Sequence, residues 1–246
     1  MSKAKLIPPL WDVPREFHER LGDRPGRQRV MLSDGHLFFV LHAPPQPDET
    51  TRTARLFWRK PDGSWQSTQT GNGLAAFEAH IEDFGKQVDS CDVMEHAAAT
   101  AKEYYKVLER ISPLKRASAN LHHVLEEARR LLPEDRNIIN LRDQAYDVSR
   151  TAELLYDATR NGMELAQTRR AEEQAAASMA MASSAHRLNL LAAFFFPLAT
   201  LTAVFGMELN SGWETKYTPW PFLFVVFAGL MAGAILGAFV AQRPKK

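Results

Sequence analysis

The 246 residues carry 30 Lys and Arg against 29 Asp and Glu, a formal charge of +1, and 45% of them are hydrophobic. That balance leaves no electrostatic footprint for nucleic acid and supplies ample apolar side chains for a core. The one cysteine, Cys91, excludes an internal disulfide and suits a reducing cytoplasm.

Residues 1–28 are mixed in charge and contain Pro8, Pro9 and Pro14. They read as a poorly ordered arm or a capping strand, not as a signal peptide. From Arg29 the pattern is that of β-strands. Val30–Leu32 and His36–His42 flank Asp34-Gly35, and Thr53–Lys60 and Trp65–Thr68 flank Pro61-Asp62-Gly63, both favoured turn sequences. Pro44-Pro45-Gln46-Pro47 separates the two hairpins. Three or four antiparallel strands are expected, a sheet too small to stand without helices on one face.

From Leu74 the apolar period becomes helical. Leu74, Phe77, Ile81, Phe84, Val88, Cys91, Met94, Ala98, Ala101, Tyr105 and Leu108 form one seam, and Ser112-Pro113 is expected to end that helix. Leu114, Ala117, Leu121, Val124, Ala128 and Leu131 continue on a shorter one. Pro133-Glu134-Asp135 reads as a fresh start, and Ile138, Leu141, Ala145, Val148, Ala152 and Leu155 carry the seam on. With no proline between Pro133 and Pro197, one helix is expected from about Glu134 to Phe205, on the order of 100 Å long. Gly162 is its weak point, where it is expected to bend.

Two apolar runs follow, Leu188–Phe205 and Pro221–Ala241, each free of charged residues and each about the length that spans a bilayer. A buried helix is the alternative for either run alone; two in tandem predict a membrane hairpin. Arg169, Arg170 and Arg187 precede it and Arg243, Lys245 and Lys246 follow, whereas the loop between holds Lys216 against Glu208 and Glu214. Basic flanks stay inside, so both termini are expected in the cytoplasm, with residues 29–187 as a cytoplasmic domain and the loop 206–220 outside. Trp213, Tyr217 and Trp220 suit the interface beside that loop. The expected class is thus an α+β membrane protein of the plasma (inner) membrane: a small antiparallel sheet with long, coiled-coil-like helices, one running into the first of two C-terminal transmembrane helices.

Gly229, Gly233 and Gly237 recur at four-residue spacing and would let a neighbouring backbone approach closely. In the first run Pro197 deprives the Ala193 carbonyl of its helical partner. Asn189 and Thr200 share a helix face, which marks a bundle interior or water path, or alternatively a plain interhelical hydrogen bond. Ala171, Ser178, Ala185, Ala192 and Ala199 fall on one line, with Ala182, Asn189, Phe196 and Ala203 beside it. Such a stripe suits a narrow path or close helix contact, although alanine also simply favours helix.

Leu190-Leu191-Ala192-Ala193-Phe194-Phe195-Phe196-Pro197-Leu198, then Val204-Phe205-Gly206-Met207, then a second span ending in lysines, resembles the CorA-like magnesium transporters. The resemblance covers about residues 185–246 and is architectural upstream. It implies a homo-pentamer with the first spans around an ion path and the second spans outside, passing divalent cations, Mg2+ foremost, with no tightly bound cofactor. It makes Ala185, Asn189, Ala192, Phe196, Ala199, Thr200 and Ala203 the pore-lining candidates. Leu188 and Phe196 become gate candidates, bulky rings able to exclude water. Gly206, Met207 and Glu208 become the selectivity mouth. Glu208 stands where the family's signature Gly-Met-Asn has asparagine, and Ala199 stands where the family has a threonine. A ring of glutamates would draw divalent cations more strongly while raising its own pKa values, which predicts altered metal preference or lower flux. The competing reading is a membrane-anchored oligomeric scaffold with a degenerate pore.

Signals for an enzyme are weak. His122 and His123 diverge on a helix, Asp92 and His96 offer only two ligands, and Cys91 sits on the apolar seam as a packed thiol. No phosphate-binding glycine loop or triad spacing occurs.

Overall fold

The computed structural model describes residues 6–46, 52–69, 71, 73–206 and 220–241; within the last two helices the side chains of 202, 204–206, 221, 222 and 239–241 also lie outside the description. Four strands form an antiparallel meander, β1 (Arg29–Ser33), β2 (His36–His42), β3 (Ala54–Arg59) and β4 (Trp65–Ser67), paired in sequence order. The β1–β2 register, Arg29 opposite Val40 and Ser33 opposite His36, closes on Asp34-Gly35. Both turn residues have positive φ, 47° and 75°, the backbone that a two-residue hairpin demands. Gly63 likewise has φ 83° in the β3–β4 turn, where Asp62 accepts from the Ser64 backbone and hydroxyl.

Residues 6–28 are neither a loose arm nor a strand. A one-and-a-half-turn helix α1 (Arg15–Arg20) buries Phe17, and with Ile7 and Val13 it covers Met31, Phe38, Val40, Leu56 and Trp58 on one sheet face. Ser33 donates to Glu16 at 2.8 Å, fixing α1 against β1. The opposite face, with Phe39, Leu41 and Phe57, packs on the helices. The sheet is therefore covered on both sides.

Helix α2 (Gly73–His96) begins where its glycine lies against the Trp65–Gln66 backbone, too close for any Cβ. It stops well short of Ser112. Thr100 caps α3 (Ala101–Leu131) through a reciprocal box, its hydroxyl accepting from the Glu103 amide while the Glu103 carboxylate accepts from the Thr100 amide. The expected single seam across Ala98, Ala101 and Tyr105 is thus incorrect: the helix restarts, Val107 and Ile111 become the buried positions, and Tyr105 is exposed. Pro113 lies inside α3 rather than ending it. One lost amide there is outweighed by burial of Ile111, Leu114, Ser118, Leu121, Val124 and Leu125 along the same helix.

Helix α4 (Arg136–Gly206) spans 71 residues, about 107 Å at 1.5 Å per residue. Asp135, not Pro133, begins it: its carboxylate accepts from the amides of Asn137 (2.9 Å) and Ile138 (3.2 Å). The same carboxylate meets Arg59 of β3 at 2.6 Å with both side chains largely buried, tying sheet to helix start. The first part of α4 runs antiparallel to α3, with Arg142 on Glu126 (3.2 Å) and Lys115 near Asp157 (3.9 Å). Gly162 is explained by packing: a Cβ there would lie 2.6 Å from the Tyr104 ring, and the helix continues through it.

The chain divides into two compact units, Met1–Thr168 and Arg169–Lys246. The second contains the remainder of α4 and helix α5 (Trp220–Ala241).

Candidate functional site

In the second unit α4 and α5 lie antiparallel, and the glycines decide how closely. Gly229 sits against Leu198 and Leu201, and Gly233 against the backbone of Phe194, where an added Cβ would come within 2.5 Å of the carbonyl oxygen. Both glycines are buried. A Cβ added at Gly237, the third of the series, would meet no packing neighbour within 4 Å among the described residues. Successive contacts step by four residues on each helix, the spacing at which small residues make one groove.

This contact sorts the residues of α4 into two faces. Leu190, Ala193, Phe194, Pro197, Leu198 and Leu201 are partly covered. Ala192, Phe196, Ala199, Thr200 and Ala203 are exposed on the other face; Ala185, Leu188 and Asn189 are exposed too, in a stretch where every residue is. The stripe singled out in the sequence is therefore the face that α5 leaves open. Thr200 donates its hydroxyl to the Phe196 carbonyl at 2.8 Å, within its own helix. The carbonyl that Pro197 leaves without a helical amide is that of Ala193, about one turn earlier. Gly206 ends α4; Met207 and Glu208 lie outside the described residues.

Large apolar side chains are unusually open in this unit. Leu188, Leu191, Phe195 and Phe196 on α4, and Phe224, Phe227 and Ile235 on α5, are each more than half exposed. A single chain in water rarely presents so continuous an apolar surface. Among the described residues no helix is long and apolar enough to cross a membrane; the runs 188–205 and 221–241 both reach into residues outside the description. Upstream, residues 167–189 are exposed on every side of α4, with no cover among the described residues.

The first unit holds polar chemistry that the sequence did not advertise. His80 is buried among Phe57, Phe77 and Phe84. Arg55 donates to its Nδ1 at 3.0 Å and to Asp83 at 2.7 Å. Burial first, then the Arg55 charge, then His42, push the His80 pKa down to about 3, so the ring is neutral. Cys91 is fully buried, and burial raises its thiol pKa against the opposing charge of Arg110. His96 turns back on the Asp92 carbonyl at 3.0 Å. Among the described residues no three His, Cys, Asp or Glu side chains are grouped to hold a metal.

Together these features define an α+β protein: a four-stranded meander with long antiparallel helices, followed by a helical pair zipped by glycines. The chain belongs to the CorA-like Mg2+ transporter family, whose model matches residues 67–241. Members of that family are transporters rather than enzymes. Among solved structures the chain resembles that of the full-length CmaX protein, at 12% identity and a TM-score of 0.55, covering 94% of this chain and 82% of that one. At that identity the likeness is one of fold. The complete structure of the CorA magnesium transporter from Methanocaldococcus jannaschii also matches, at 13% identity and a TM-score of 0.37, covering 91% and 81%. No curated protein sequence matches the chain.

Proposed function

We propose that this chain is a homo-oligomeric, CorA-like channel that passes divalent cations across a membrane down their electrochemical gradient. The observation that carries the reading is the open face of α4. Within a family of cation transporters, the side of that helix turned away from α5 presents Asn189 and Thr200 among alanines, flanked by exposed Leu188 and Phe196. Polar groups at membrane depth face a bundle interior or a water path. The full exposure of residues 167–189 supports further copies as their cover, and five is the number the family resemblance suggests.

On this reading residues 188–246 form a two-helix transmembrane hairpin with both termini cytoplasmic, as the basic flanks require. Leu188 and Phe196 form apolar rings that stop ions when the path narrows. Gly206, Met207 and Glu208 stand at the outer mouth. Magnesium sheds water reluctantly, so a mouth that holds the hydrated ion suits it. Replacing asparagine by glutamate there concentrates divalent ions and slows their release, giving lower flux or a shifted preference among Mg2+, Co2+, Ni2+ and Zn2+. Uptake of each metal into liposomes containing the purified protein tests this. Glu208→Asn should change flux or metal order; an unchanged profile removes Glu208 from the conduction path.

A further inference from the structure

A pocket of about 530 Å³ opens in the first unit where the ends of β1 and β2 meet the middle of α3. Its walls carry Arg27, Arg29, Arg52 and Arg116 with His42 and His123, against the one carboxylate of Glu127 among the described lining residues. None of the four arginines makes an ion pair among the described residues, whereas the two arginines of β3 do: Arg55 with Asp83 and Arg59 with Asp135. Arg29 is held in place by the carbonyls of Pro25 (2.8 Å) and Arg27 (3.0 Å), contacts that fix the guanidinium without neutralising it.

A second observation points into the same space. His42 is 7% exposed, lines the pocket, and its Nε2 has no hydrogen-bond partner among the described residues. Native interiors seldom leave such an atom unpaired. Burial lowers the His42 pKa first, and the nearby Arg52 and Arg29 charges lower it further, against a hydrogen bond with the Gly26 backbone that raises it. Arg29 is lowered by burial and by Arg27 in the same way. Arg27 and Arg29 therefore repel each other, and an anion placed between them relieves that repulsion.

We propose that this pocket binds a small polyphosphate-bearing anion. Guanidinium groups match phosphate oxygens bidentately. Four of them exceed what one phosphate, carrying about two charges, can satisfy. The volume lies within the range of small-molecule sites, roughly 300–1,000 Å³. Pro45, Pro113 and Ala117 add apolar wall between the charged side chains.

Titration calorimetry on the full-length protein in detergent, with a chelator present and ionic strength held constant, tests the assignment. Sodium tripolyphosphate should bind saturably at one site per chain, at least about tenfold more tightly than orthophosphate. Arg27→Ala combined with Arg116→Ala, two exposed side chains whose loss leaves the core intact, should weaken it by about tenfold or more, one tenfold step being a single charge-assisted contact. Arg20→Ala with Arg24→Ala, the same charge change away from the pocket, should leave it unchanged. Absence of saturable binding overturns the proposal. So does equal loss in the two double variants, which would mark a general charge effect.

Discussion

The glycines of α5 give a graded prediction, because each meets a different neighbour. At Gly233 an alanine Cβ would stand 2.5 Å from the Phe194 carbonyl oxygen and 3.3 Å from its carbon, about 0.9 Å inside ordinary contact at 3.4 Å. Backbone cannot rotate away as a side chain can, so the two helices must separate locally. Overpacking of that kind costs about 1–3 kcal/mol. At Gly229 the close atom is the Leu198 Cδ1, 2.8 Å away, while the nearest backbone atom is already at 3.4 Å. A leucine methyl can turn aside, and the cost should stay under about 1 kcal/mol. A Cβ at Gly237 would meet no packing neighbour within 4 Å among the described residues, so alanine should be neutral or gain up to about 1 kcal/mol from helix propensity. Apparent melting temperatures of the detergent-solubilised variants should therefore fall in the order Gly237→Ala, Gly229→Ala, Gly233→Ala, at roughly 2–4 °C per kcal/mol. Gly233→Ala melting with wild type, or Gly237→Ala proving the most damaging, would refute the assigned helix contact.

Further outcomes follow from the first unit. Asp135→Ala removes both the α4 cap and the partner of the buried Arg59, and should cost about 3–5 kcal/mol in denaturant unfolding followed by tryptophan fluorescence. Glu153→Ala, which breaks the half-exposed Arg150 pair, should cost no more than about 1 kcal/mol by the same measurement. His80 has a folded pKa depressed from 6.5 to about 3. Above pH 6.5 the ring is neutral in both states and its contribution is constant. Between 6.5 and about 3 the unfolded chain takes up a proton that the folded chain does not, so stability falls with acid by up to about 1.4 kcal/mol per pH unit. His80→Phe should flatten that part of the stability–pH curve; an unchanged slope would show that carboxylates alone account for it.

How much of this was legible depended on whether the signal was local. The two hairpins were, because Asp34-Gly35 and Pro61-Asp62-Gly63 announce backbone that few other residues adopt. The extent of α4 was nearly so, since no proline falls between Pro133 and Pro197. The α2–α3 boundary was missed because alanines at 97, 98, 99 and 101 extend an apolar period across it, although none of them is buried. The cue was Thr100 with Glu103 three residues on, a capping box that outranks the proline at 113. The N-terminal cover of the sheet has no period to read: Ile7, Val13 and Phe17 are placed by tertiary contact. The open face of α4 was visible as a stripe, although only the contact with α5 separates it from its covered side. The arginine pocket could not be read at all, because residues 27–29, 42, 52, 116 and 123 converge only through the sheet and α3.

The conduction reading meets its most direct test in cysteine substitutions probed by a charged, water-soluble thiol reagent during Mg2+ uptake into proteoliposomes. The native Cys91 is buried and should stay silent. Cysteine at Asn189, Ala192 or Ala199 should be modified and block uptake, whereas cysteine at Phe227 or Ile235 of α5 should leave uptake untouched. Uptake that is absent altogether, or that is blocked alike from α4 and α5, would contradict a cation path along the open face of α4.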